Sequence, residues 1–173
     1  LVFDGFALED PLFVAFETLY TEEKVVGIHA EIEDDAQTVY LPKIRTNAKD
    51  GITDIDHTEA LEKATIIDTV SYSSLLPGKE YTVSGTLMNK KTGEAVLIDG
   101  KLITASTTFT AEKAEGSVDI VFEFDASAIA GTTVVAFEKV TYKGVEVGVH
   151  ADIEDEDQTV YIPDVHTTAT ATE

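Results

Sequence analysis

The chain repeats itself at one long, fixed spacing. Laid without a gap on residues 122–162, residues 1–41 match at 18 of 41 positions, all at an offset of 121. Val14-Ala15-Phe16-Glu17 returns as Val135-Ala136-Phe137-Glu138. Gly27-Ile28-His29-Ala30 returns as Gly148-Val149-His150-Ala151, and Gln37-Thr38-Val39-Tyr40 as Gln158-Thr159-Val160-Tyr161. The register continues past the match, with Pro42, Thr46 and Ala48 answered by Pro163, Thr167 and Ala169. Self-similarity at a constant period marks a tandem array. It predicts three pieces: 1–41 as the C-terminal third of one repeat, 42–162 as a complete repeat, and 163–173 as the first strand of a following repeat. Pro42 and Pro163 stand at the joints, where a residue without an N–H ends a ladder. The chain reads as an excerpt of a longer protein, so the lack of a targeting signal says nothing about location.

Inside the whole repeat the period is two. Short β-branched and aromatic runs over 64–72, 80–88, 106–111, 117–124, 132–142, 145–153 and 158–162 read as strands. Tyr81, Val83 and Leu87 alternate with Thr82, Ser84 and Thr86; Val118, Ile120, Phe122 and Phe124 alternate with Asp119, Val121 and Glu123. Pro77-Gly78, Lys91-Thr92-Gly93 and Lys143-Gly144 supply turns. The stretch 125–130, followed by Gly131, predicts one helical turn capped by Asp125. Seven or eight strands in about 120 residues predict an all-β, immunoglobulin-like β-sandwich.

Composition removes several functions. The net charge is −21, which repels nucleic acid and anionic membrane surfaces. With no Cys there is no disulfide, thiolate metal site or Cys nucleophile. No apolar run is long enough to span a bilayer as a helix. A sandwich without the usual Cys pair or a Trp needs another way to hold its sheets together.

Three constellations carry candidate chemistry. His150, Asp155 and Gln158 stand at i, i+5 and i+8, and His29, Asp34 and Gln37 repeat the spacing. Their loop also holds Asp152, Glu154, Glu156 and Asp157. Such a loop is a solvated turn, a set of oxygen ligands for calcium, or the setting of a Gln whose polarised carbonyl loses its amide as ammonia. Glu138, with Glu17 as its counterpart, ends an apolar run. Alternation puts it on the face of Val134 and Ala136; if that face is the core, burial raises its pKa and equips it to move protons. The opposite assignment has Val135 and Phe137 inside and Glu138 in water. Val145, Val147, Val149, Ala151 and Ile153 form the apolar side of their strand, which places His150 on the other side. Finally, Lys43-Ile44-Arg45-Thr46-Asn47-Ala48 is a first strand whose Thr46 can face Gln158 if the first and last strands lie together.

The set Arg45-Thr46, Val135-Ala136-Phe137-Glu138 and His150…Asp155…Gln158-Thr159-Val160 resembles the Thr–Gln ester-bond domains, or VaFE repeats, of Gram-positive surface proteins. Ile67-Asp68-Thr69-Val70-Ser71-Tyr72, the run 76–88 and Phe122-Glu123-Phe124-Asp125 resemble the body of that family. The resemblance implies that Thr46 attacks the Gln158 side chain with loss of ammonia, that Glu138 and Asp155 move protons, and that His150 supports the site. It implies a stalk repeat of a cell-wall-anchored surface adhesin or pilus-like protein, self-crosslinked, with no external substrate, cofactor or metal. A related family of stalk repeats uses Lys–Asn bonds, but no reactive Lys stands out on the first strand. The partners expected are adjacent repeats; the host ligand is not legible. Glu17, His29, Asp34, Gln37 and Thr167 then belong to incomplete neighbouring sites, and Thr167 of one chain could reach Gln37 of another, linking molecules head to tail. The alternative of a different class is a calcium- or ligand-binding β-sandwich whose acidic loop is the site.

Overall fold

The computed structural model of the protein describes residues 12–170. The strands are β1 (Leu12–Val14), β2 (Glu17–Thr21), β3 (Lys24–His29), β4 (Thr38–Tyr40), β5 (Lys43–Asp50), β6 (Ala64–Ser73) and β7 (Glu80–Asn89). They continue as β8 (Leu97–Ile98), β9 (Lys101–Leu102), β10 (Thr104–Thr110), β11 (Gly116–Phe124), β12 (Thr133–Tyr142), β13 (Val145–His150) and β14 (Thr159–Tyr161). Two antiparallel sheets form the whole repeat. One has the order β10-β7-β12-β13, with β14 also paired to β12; the other has the order β11-β6-β5. Their inner faces close over one core that includes Ile66, Val70, Val83, Leu87, Ile120 and Phe122. This is the all-β sandwich that the alternation predicts.

Period-two patterning decides which side chains turn inward. On β5 the buried residues are Ile44, Thr46, Ala48 and Asp50; on β6 they are Ala64, Ile66, Asp68, Val70 and Tyr72. The Thr46 hydroxyl and two carboxylates, Asp50 and Asp68, therefore occupy core positions. Asp50 is satisfied locally: it accepts from the N–H groups of Ile52 and Thr53 and from the hydroxyls of Thr53 and Thr58. That loop then runs beside β14, where Thr58 N–H donates to Tyr161 C=O and Tyr161 N–H to Asp56 C=O.

The predicted turns take specific forms. Ala126–Ile129 is a short 3-10 helix whose cap Asp125 accepts from Ser127 N–H. Lys143 and Gly144, at φ 50° and 80°, join β12 to β13 through two successive left-handed residues, the geometry that matches strand twist. The β8–β9 hairpin, turned by Asp99-Gly100, is not among the predicted strands; its two-residue strands are too short to show a period.

Residues 12–40 pair among themselves, β1 with β4 and β2 with β3. Over 163–170, where the offset predicts a strand, there is no regular secondary structure. In the whole repeat, β5 owes its ladder to β6 along its entire length, and the described residues after Ile162 hold no such neighbour. Residues 1–11 and 171–173 of the predicted end pieces lie outside the described residues.

Gly85 on β7 lets the sheets meet. A Cβ there would stand 2.6 Å from both Ile120 Cδ1 and Phe122 Cζ on the opposite sheet. Gly85→Ala is expected to lower the unfolding free energy by about 1–3 kcal/mol through overpacking, read from the urea midpoint. An unchanged midpoint would mean that both side chains yield freely.

Candidate functional site

Strand β12 has two successive neighbours on one flank. β14 pairs with it from Thr133 to Val135, and β13 from Glu138 onward, where Glu138 lies opposite His150. Ala136 and Phe137 are left without a ladder partner on that flank, and the connection between β13 and β14 brings Gln158 there. A one-turn 3-10 helix, Glu156–Gln158, makes the delivery. Its cap Asp155 accepts from Asp157 N–H at 2.9 Å through one oxygen, and its other oxygen meets His150 Nε2 at 2.8 Å. Thr159 Oγ1 closes the turn by donating to the Asp155 carbonyl.

Thr46 arrives from the opposite sheet. Strand β5 packs along β13, β14 and the turn, so its inward Thr46 meets the inward Gln158. Thr46 Oγ1 donates to Glu138 Oε2 at 3.2 Å and touches the end of the Gln158 side chain. The amide orientation that satisfies its neighbours has the nitrogen donating to Glu138 Oε2 at 2.8 Å and to the Ala136 carbonyl. In that orientation the amide oxygen faces the Thr46 hydroxyl. Gln158 is completely buried, and Thr46 and Glu138 are 7% and 2% exposed. One carboxylate oxygen thus lies between a hydroxyl and an amide nitrogen, away from water.

A carboxylate that sequence reasoning missed completes the cluster. Asp68 on β6 is fully buried, opposite Ala48 of β5, and its side chain interacts with Glu138. If both groups are ionised, Asp68 Oδ1, Asp68 Oδ2 and Glu138 Oε1 have no hydrogen-bond donor. A single proton on Glu138, shared with one Asp68 oxygen, satisfies two of these three atoms. Burial and the facing Asp68 charge push Glu138 up, to about 10. Asp68 is also raised, by burial first. The missed signal lies in the alternation Ala64, Ile66, Asp68, Val70, Tyr72, a lone acid in an apolar row.

Glu138 therefore takes the inward of its two predicted orientations, beside Val134, Ala136 and Val140. The expected apolar face of β13 needs correction. Val145 and Val149 are exposed, whereas Gly148 is buried and His150 half-buried. A bulge between Val140 and Thr141 sets Gly148 and His150 against the inward residues Val140 and Glu138. His150 consequently faces the site.

The same local geometry occurs in residues 12–40. Glu17 lies opposite His29, His29 Nε2 meets Asp34 Oδ2 at 2.6 Å, and Asp34 caps the turn ending at Gln37. Its would-be core is bare: Leu19 is 67% exposed where Val140 is buried, and Val39 49% where Val160 is buried. Thr167 is exposed, and among the described residues no hydrogen bond joins it to Gln37.

The acidic loop does not gather its carboxylates around a point. Asp152 and Asp155 accept from backbone N–H groups, and Glu156 binds Lys90 and Tyr161. Among the described residues, no group of three or more His, Asp or Glu side chains is arranged to hold a metal ion.

Comparison with known proteins gives two findings. The family described as T-Q ester bond containing domain matches residues 2–41 and, separately, residues 42–162. A bacterial adhesin from Mobiluncus mulieris containing intramolecular disulfide, isopeptide and ester bond cross-links is similar in fold in two crystal forms. The TM-score is 0.55 in both, at 17% and 16% identity, with 71% of this chain and 57% of that chain covered. The chain thus spans little more than half of that adhesin structure. No curated protein matches.

The pair of raised acids makes stability depend on pH in a defined direction. Between the ordinary value of 4.5 and about 10 for Glu138, the folded state holds more protons than the unfolded state. Stability therefore falls as pH rises through that window. In uncrosslinkable Thr46→Ala protein, urea unfolding is expected to show a more stable fold at pH 5 than at pH 8. Adding Glu138→Gln should flatten that dependence; equal slopes in the two variants would place the proton elsewhere.

Proposed function

The chain belongs to the T-Q ester bond containing domain family, and on that premise we propose that residues 42–162 form a stalk repeat which staples its own two sheets by an ester between Thr46 and Gln158. The observation that carries this reading is Glu138 Oε2, held 3.2 Å from the Thr46 hydroxyl and 2.8 Å from the Gln158 amide nitrogen in a buried pocket. Thr46 Oγ1 attacks Gln158 Cδ. Glu138 Oε2 takes the hydroxyl proton while Glu138 Oε1 releases its own to Asp68. As the Cδ–N bond breaks, Oε2 hands its proton to the departing nitrogen and Asp68 returns the other. One ester and one ammonia result, and the acid pair ends as it began. Contact enforced by the fold supplies the effective concentration that a weak nucleophile needs. The His150–Asp155 pair borders Glu138 and holds the Gln158 turn. The reaction is a single self-modification and has no external substrate.

The mechanical reading follows from where the ends lie. Force entering near Pro42 and leaving near Pro163 would cross the ester instead of the sheets' hydrogen bonds. The crosslink closes a loop of roughly 110 residues, a constraint of about 4–5 kcal/mol on chain-entropy grounds. A protein without Cys gains this staple independently of the redox compartment. Adjacent repeats of a surface adhesin, anchored to the cell wall, are the setting this design suits. A strand offering Thr167 to Gln37 of a second chain would need to bring a β6 equivalent with it, because β5 is held by β6.

Intact mass tests the reading. The native chain is expected to be lighter than its sequence by one ammonia, and Thr46→Ala to have full mass. A native chain of full mass after prolonged incubation sinks the proposal. The metal-binding alternative makes a separate prediction, a lower melting temperature on adding chelator; no shift is expected here.

A further inference from the structure

Gln158 reaches the pocket only because a strongly acidic turn is held down. Asp152, Glu154, Asp155, Glu156 and Asp157 crowd six consecutive positions. Like charges at that spacing push the segment outward into water. Opposing them is Lys90, just beyond β7. Its backbone N–H donates to Thr133 C=O, which ties it to the start of β12. Its ammonium donates to Glu156 Oε1 at 2.6 Å and to Thr159 Oγ1 at 3.1 Å. These partners flank Gln158, and each is tied onward: Glu156 accepts from Tyr161 OH, and Thr159 donates to the carbonyl of the turn's cap. None of these Lys90 hydrogen bonds goes to Thr46, Glu138 or Gln158.

We infer that Lys90 is a positioning residue for the crosslink, holding the 155–158 turn against β12 and β14 so that Gln158 stays within reach of Thr46. The inference rests on the ester reading above. The tie acts on geometry, and small displacements of a reacting group cost rate heavily. Loss of Lys90 therefore slows the ester much more than it loosens the fold. Thr159 keeps its own bond to the cap, and β14 keeps its ladder with β12. In a variant without Lys90, salt recovers part of the rate by screening the turn's self-repulsion.

The full chain made by cell-free synthesis, quenched in acid at intervals and weighed intact, tests this. Lys90→Met is expected to slow ammonia loss by about tenfold, and Lys90→Arg to restore most of the native rate. Glu156→Gln should slow it as well, by weakening the same tie from its exposed end while leaving an amide oxygen that can still accept from Tyr161 OH. The double variant should be no slower than Lys90→Met alone, since both remove one interaction. Raising the salt should speed Lys90→Met. A Lys90→Met rate within twofold of native overturns the inference, and so does an Arg variant as slow as Met. Native chain that never loses ammonia overturns the ester reading itself, a different result from native crosslinking that is indifferent to Lys90.

Discussion

A cluster of polar groups sealed between two sheets governs this molecule. Thr46, Asp68, Glu138 and Gln158 take up four inward positions of strands and turns that otherwise carry Ile, Val and Ala. Buried carboxyl groups are costly unless paired or neutralised. Two buried acids facing each other resist double ionisation, and a proton held by Glu138 and shared with Asp68 relieves their repulsion. That sharing makes Glu138 both a holder and an acceptor of protons, and it leaves its second oxygen free to lie between Thr46 and Gln158.

The backbone around the cluster is organised to expose one reactive side chain to another. The flank of β12 is divided between β13 and β14, and the division leaves a vacancy two residues long beside Ala136. A capped single turn of 3-10 helix puts Gln158 there. Because β5 belongs to the other sheet, whatever joins Thr46 to Gln158 joins the sheets as well. In disulfide-bearing sandwiches that task falls to a Cys pair; here a hydroxyl on one sheet meets an amide beside the other.

Residues 12–40 show how much of this arrangement is local. The His–Asp contact, the capped turn, the opposition of Glu and His and the bulge that follows are all present there without a surrounding core. Hairpin geometry, capping and short-range hydrogen bonds suffice for them. What is lacking is burial: Glu17 is exposed, while its counterpart Glu138 is enclosed. The proton chemistry belongs to the closed sandwich, since desolvation creates it.

The sequence alone determined the strand periods and the all-β sandwich, because spacing and alternation are one-dimensional properties, and the internal repeat together with the family resemblance pointed to Thr46, Glu138, His150, Asp155 and Gln158 as the set to look for. It left Glu138 between two orientations and gave β13 the wrong inner face, since five alternating apolar residues outweigh a bulge that only pairing with β12 reveals. Asp68 was readable as an acid in an apolar row, yet its meaning depended on β6 setting it against Glu138 from another sheet. Lys90 carried no signal at all, because a lysine after a strand becomes a clamp only when folding brings a distant acidic turn beneath it. Tertiary structure decided those matters for one reason: burial and the meeting of distant side chains arise from packing, and no local pattern contains them.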